Sequence, residues 1–219
     1  MTTVRIHLTR HGEVYNPEGV LYGRLPGYGL SDTGREMAER LGRWYPENTK
    51  AVRGLVVSPL QRAQETVAPI ARATGLDPVT DDRVIEAANR FEGLVLSRDL
   101  KRPAHLRRVY NPFRPSWGEP YTAQVRRMRA AIATLRSRLQ RAADAEGLDT
   151  VDGVVVSHQL PIWVTRLAAE GRPLWGDPRR RECALASVTT FTYSGATLDD
   201  VQYTDVCADL QPQKAVAGA

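Results

Sequence analysis

Three short apolar runs, far apart in the chain and each ending on polar residues, limit the fold more than anything else in the sequence. Val4-Arg5-Ile6-His7-Leu8 alternates like a half-buried strand. Gly54-Leu55-Val56-Val57-Ser58 and Gly153-Val154-Val155-Val156-Ser157 are almost continuously apolar, as strands covered on both faces are in a parallel sheet. Helical patterns lie between them. Thr33-Gly34-Arg35-Glu36 has capping-box spacing, and a helix through about Tyr45 is expected, ended by Pro46. Ser58 is expected to cap a second helix, with Pro59 at its first position and Gln61 closing the box; Gly75 stops it after Thr74. Val125, Met128, Ile132, Leu135 and Leu139 mark a helix from Tyr121 to about Ala145, and another is expected from Leu160 to Ala169. Weaker strand patterns fall at 79–85, 185–193 and 197–203. Strands alternating with helices predict an α/β class: a three-layer α/β/α single domain over residues 1–210 with a mostly parallel central sheet.

Two segments do not fit that alternation. Residues 12–30 are rich in Gly, Pro and Tyr and read as a long loop. Residues 91–119 are basic, proline-containing and too long for an ordinary connection, so an active-site lid or an insertion is expected there. The end of the chain, 211–219, reads as a disordered tail.

Composition narrows the partners. The 219 residues carry a net charge of +5, mostly from arginine, which favours anionic ligands. With 7% aromatic residues and no recognition motif, nucleic acid is not the expected partner. No apolar run approaches the ~20 residues of a membrane span. The two cysteines, Cys183 and Cys207, have neither metal-ligand nor disulfide-framework spacing, and no cleavable signal opens the chain; a reducing cytoplasm is expected.

The chemistry concentrates at the strand ends. Arg10 and His11 follow the first run, Arg62 lies just past the second, and His158 follows the third. In an open α/β sheet, ligands bind beyond the carboxyl ends of the strands. Gly12 is expected to free the turn that lets neighbouring Arg10 and His11 share a pocket. Two guanidiniums and two imidazoles repel one another unless an anion joins them, and the arginine fork matches phosphate oxygens. Arg62 falls in the first turn of its helix, whose amino end also favours anions. No Walker loop, acidic metal cluster or cysteine phosphate loop is visible, which leaves a histidine nitrogen as the nucleophile for phosphoryl transfer. His7 reads as a core residue and His105 as an exposed one.

The stretch Arg10-His11-Gly12-Glu13 resembles the signature of the histidine phosphatase superfamily, the group that includes cofactor-dependent phosphoglycerate mutases. Further matches follow in order: Asn16, the Gly23 region, Leu30-Ser31-Asp32-Thr33-Gly34, and Ser58-Pro59-Leu60-Gln61-Arg62-Ala63-Gln64-Glu65-Thr66. Glu86, Phe91-Glu92-Gly93 and Val156-Ser157-His158 complete the set. The resemblance implies that His11 becomes phosphohistidine and that Arg10, Arg62 and a protonated His158 hold the phosphoryl oxygens. Glu86 would protonate the leaving oxygen and then activate water; Asn16 and the backbone near Gly23 and Gln159 would shape the substrate-binding pocket. Gln159 and Leu160 stand where the family more often has small residues. No metal and no cofactor are expected. The expected activity is metal-independent hydrolysis of a small phosphorylated metabolite. The alternatives are a cofactor-dependent phosphoglycerate mutase and a non-catalytic phospholigand- or polyanion-binding protein.

Overall fold

The computed structural model of the chain describes residues 2–95, 99, 117–177 and 180–212. The first apolar run becomes β1 (Thr3–Arg10), which pairs in parallel with β4 (Thr150–Ser157). Beyond β4 lie β2 (Val52–Val57) and the two-residue β3 (Val79–Thr80), also parallel. On its other side β1 meets β5 (Val188–Ser194) in antiparallel pairing, and β5 turns at Gly195 (φ 58°) into β6 (Thr197–Thr204). The six-stranded order is β3-β2-β4-β1-β5-β6, so the sheet is mixed and mostly parallel.

Alternating side chains give the sheet two apolar faces. Val4, Ile6 and Leu8 of β1 join Val151 and Val155 of β4 against α3 (Tyr121–Glu146) and α4 (Gln159–Ala169). On the opposite face Leu55, Val57, Val154 and Val156 pack on α1 (Asp32–Asn48) and α2 (Gln61–Thr74). This is the expected three-layer α/β/α arrangement.

Several local expectations are corrected. The N-cap of α1 is Ser31, whose hydroxyl accepts the Gly34 N–H at 3.0 Å; it is not Thr33. Pro46 lies inside α1: only the bond to the Gly42 carbonyl is lost, and one more turn closes with the Thr49 N–H on the Tyr45 carbonyl. Helix α2 begins at Gln61 with Leu60 as its N-cap and no side-chain cap, so Ser58 and Gln61 form no capping box. Only Val79 and Thr80 of the 79–85 run pair as a strand, because a 3₁₀ turn (Asp82–Val84) follows at once. Gly12 has no left-handed backbone; its side of the chain is crowded instead, since a Cβ there would sit 2.6 Å from the Gly34 carbonyl oxygen. The tail is tied down at its first residue, where Gln211 Nε2 donates to the Leu185 carbonyl at 2.9 Å. Residues 213–219 lie outside the described residues.

The ends of the 91–119 segment are pinned. Val95 bridges Val20, and Gly118 bridges Asn89. Most of the segment, including His105, lies outside the described residues. His7 is a core residue as expected: its ring contacts Thr190 Oγ1 and Asp152 Oδ1, both at 2.9 Å.

Candidate active site

The parallel strands β1, β2 and β4 end side by side, and each delivers a polar residue where its apolar run stops. His11 is clamped there by its backbone: its N–H donates to the Ser157 carbonyl (3.2 Å), and its carbonyl accepts the Ala186 N–H (3.2 Å). Ending β1 at Arg10 breaks the strand alternation, so both Arg10 and His11 turn into the interior.

The two imidazoles are fully buried and their ring centroids are 5.1 Å apart. His11 Nδ1 donates to its neighbour's carbonyl, Gly12 O, at 2.8 Å. That bond fixes the tautomer and leaves a lone pair on Nε2, which accepts the Arg62 Nε–H at 3.2 Å. Burial first, then the Arg62 and Arg10 charges, push the His11 pKa well below its usual value. The ring is therefore neutral at physiological pH, which a nucleophilic role would require.

Arg62 is 1% exposed, on the first turn of α2. Nη2 donates to the Gly23 carbonyl at 2.7 Å, and the guanidinium lies 4.7 Å from the centroid of the Tyr22 ring. Gly23 adopts φ 42°, and a Cβ there would collide with Glu92 at 2.3 Å, so glycine is required to bring that carbonyl in. Arg10 donates from Nη1 to the Cys183 carbonyl at 2.7 Å; its Nε is buried without a protein partner.

Glu86 arrives from outside the sheet. Ser157 Oγ donates to the Val84 carbonyl at 2.7 Å and so ties the 3₁₀ turn to the end of β4, two residues before Glu86. The carboxyl is 3% exposed; Oε1 accepts the Ala87 N–H at 2.8 Å, and Oε2 is buried without a protein partner. Burial raises its pKa despite Arg62 and Arg10 nearby. Cys183, close by, has its thiol pushed up to about 11 by burial, so it is protonated.

Thus the structure brings Arg10, His11, Arg62, Glu86 and His158 together. His158 differs from expectation in charge: burial, then Arg62, hold its pKa well below the usual value, so the unliganded ring is neutral rather than cationic. Asn16 is turned to its own loop, its carboxamide bonded to both the N–H and the carbonyl of Val20. Gln159 opens α4 and meets Arg181 through Oε1 at 3.2 Å. Among the described residues no cluster of His, Cys, Asp or Glu is disposed to hold a metal ion.

The sequence profile of the histidine phosphatase superfamily (branch 1) matches residues 6–205. The chain belongs to that superfamily. It is 45% identical over 207 residues to a Mycobacterium tuberculosis (strain ATCC 25618 / H37Rv) protein named "Uncharacterized protein Rv0525", covering 93% of this chain and 97% of that one. Phosphoserine phosphatase 1 of Hydrogenobacter thermophilus is 29% identical over 165 residues, covering 73% of this chain and 72% of the relative. Among solved structures, a mycobacterial glucosyl-3-phosphoglycerate phosphatase, Rv2419c, has the same fold: TM-score 0.68 at 23% identity, over 92% of this chain and 96% of that one.

Around this candidate site, sequence reasoning missed three neighbours. Ser58, read as a helix cap, instead places its fully buried hydroxyl 2.7 Å from His158 Nε2. Among the described residues Nε2 is the acceptor within reach of the Ser58 hydroxyl hydrogen, which assigns the proton of His158 to Nδ1. Nδ1 is buried without a protein partner. The second is a frame behind Glu86: Arg24 Nε donates to the Glu86 carbonyl at 2.7 Å, and Arg24 and Arg127 share the Glu119 carboxylate. The third is Arg181, one of three consecutive arginines with no motif around it. For Ser58 a signal existed, since it directly ends an apolar run as His158 nearly does; for the others spacing carries none.

Proposed function

We propose that the chain is a metal-independent phosphomonoester hydrolase acting through a phosphohistidine at His11 on a small phosphorylated metabolite. The observation that carries this reading is the pairing of a neutral imidazole, its Nε2 lone pair fixed beside Arg62, with a buried carboxyl whose pKa is raised. His11 Nε2 attacks phosphorus while the ester P–O bond breaks, and protonated Glu86 gives its proton to the leaving oxygen. Glu86, now a carboxylate, takes a proton from water; the water oxygen attacks phosphorus, the P–N bond breaks, and His11 returns to its starting form. Arg10 and Arg62 offset the charge on the equatorial oxygens, as cations do in phosphoryl transfer. The Nδ1–H of His158 and the Nε–H of Arg10, buried donors without protein acceptors, suit those same oxygens. The phosphatase names of two relatives favour water over an organic acceptor as the final recipient.

The test is release of inorganic phosphate from a chromogenic aryl phosphate in excess chelator. Turnover with vanadate inhibition is expected. Activity that needs an added divalent cation, or isomerisation of 3-phosphoglycerate without phosphate release, would contradict the reading.

The Ser58 hydroxyl fixes the tautomer of His158 in this scheme. Ser58→Ala is expected to lower kcat by roughly 5- to 10-fold with little change in KM, the scale of one neutral hydrogen bond, and Ser58→Thr to restore most of it. Equal activity of wild type and Ser58→Ala would remove Ser58 from the mechanism.

A further inference from the structure

Among the described residues, six of the ten arginines that are not exposed are paired with carboxylates: Arg5, Arg24, Arg40, Arg83, Arg127 and Arg166. Arg10, Arg62, Arg136 and Arg181 form no ion pair there. Arg10 and Arg62 belong to the phosphoryl site, and Arg136 spreads over the Tyr193 ring at 3.9 Å. Arg181 remains.

Arg181 lies on the segment returning to β5, two residues before Cys183, whose carbonyl holds Arg10. Its Nη1 donates to Gln159 Oε1 at 3.2 Å, and Gln159 adjoins His158. Gln159 Nε2 points to the Cys183 carbonyl at 3.5 Å, which fixes its amide with the oxygen toward Arg181. Arg181 is part-buried, whereas Arg10 is 9% and Arg62 1% exposed, so it stands further out on the same basin. Tyr121, Glu86, Cys183 and Arg10 all lie within electrostatic reach of its guanidinium. A guanidinium drawn partly out of water beside another cation, with no carboxylate against it, is costly unless an anion joins it.

The phosphoryl group does not need it, since Arg10, Arg62 and His158 already surround that position. Glu86 faces the leaving oxygen, and Arg181 lies within electrostatic reach of Glu86. The anion that Arg181 meets therefore belongs to the leaving portion of the substrate. We propose that Arg181, oriented by Gln159, binds a second anionic group of the substrate, a carboxylate or a second phosphate, on its leaving-group side. This rests on the phosphatase reading and narrows it to doubly anionic esters.

The experiment compares three alkyl monophosphates of equal chain length whose far end is a methyl, a carboxylate or a second phosphate. Each is assayed for phosphate release with wild type, Arg181→Gln, Arg181→Lys and His11→Ala. Wild type is expected to prefer one of the anion-ended esters, and which one identifies the group. Arg181→Gln is expected to raise KM for that ester by about 10- to 100-fold, as loss of a charge-assisted hydrogen bond does, and for the methyl-ended ester by less than about 3-fold. Arg181→Lys should recover part of the loss. An equal loss on all three esters, no loss on any, or a wild type indifferent to the far end overturns the proposal. His11-dependent release from the methyl-ended ester shows that the phosphatase reading stands even then. If wild type hydrolyses none of the three, that reading falls and the role of Arg181 falls with it.

Discussion

His11→Ala is expected to lower kcat/KM by at least about 10⁴-fold, the loss seen when a nucleophile acting in a coupled set is deleted. In the proposed mechanism the imidazole has two functions that no neighbour can assume. Its Nε2 would supply the attacking pair, and its Nδ1–Gly12 bond would aim that pair at the substrate. His158, 5.1 Å away between centroids, is not expected to replace it, because its unpartnered nitrogen, Nδ1, carries a proton and its lone pair on Nε2 faces Ser58. Folding should persist, since the imidazole is tied only to its own neighbour's carbonyl and to Arg62, and removing it relieves nearby positive charge. Steady-state kinetics together with a thermal melt check this. A variant that melts like wild type and keeps more than a few per cent of its turnover would show that another group attacks phosphorus.

Glu86→Gln is the second large effect, and it depends on the ester. With an alkyl phosphate, the leaving alkoxide needs a proton and the loss should be about 10²- to 10⁴-fold. With an aryl phosphate whose phenolate leaves unaided, the loss should be confined to the hydrolysis of the phosphoenzyme. An identical loss on both esters would mean that Glu86 is not the acid.

The same substitution carries a stability signature. Burial raises the folded-state pKa of Glu86 above its unfolded value. The folded protein therefore binds that proton more tightly. The resulting stability is fully present below the unfolded pKa, about 4.3, and is lost as pH rises through the folded value. Above the unfolded pKa the buried carboxyl costs stability whether it keeps its proton or releases it, so Glu86→Gln should melt higher than wild type at neutral pH while turning over more slowly. That opposition of activity and stability is typical of a site held in a costly state. Melts of the two proteins at pH 4 and pH 7 read the sign directly.

How much of this was legible depended on whether a residue's role follows from its position on a single element. Arg10, His11 and His158 sit directly past apolar runs, and a parallel sheet brings such ends together whatever the intervening sequence. Arg62 was legible because it sits on the first turn of the helix that follows its strand after a short connection. Glu86 was reached only through the family resemblance, for its position depends on the Ser157–Val84 bond between distant segments. Ser58 was misread because a serine before a proline has two uses, capping the helix or serving the site, and only the neighbouring imidazole decides between them. Gly12 was placed correctly for the wrong reason: the approach of the Gly34 carbonyl, a tertiary contact, forbids a side chain there. Arg181 was invisible, because whether an arginine lacks a partner is a property of its surroundings.

The account stands on one covalent bond, between phosphorus and Nε2 of His11. Rapid-quench mixing with a phosphate ester, followed by peptide mapping under alkaline conditions, should recover an acid-labile phosphoryl group on the peptide holding His11, with none in His11→Ala. A phosphoryl group on His158 or any other residue, or phosphate release by wild type with no phosphoryl group trapped on the enzyme at any mixing time, would contradict it.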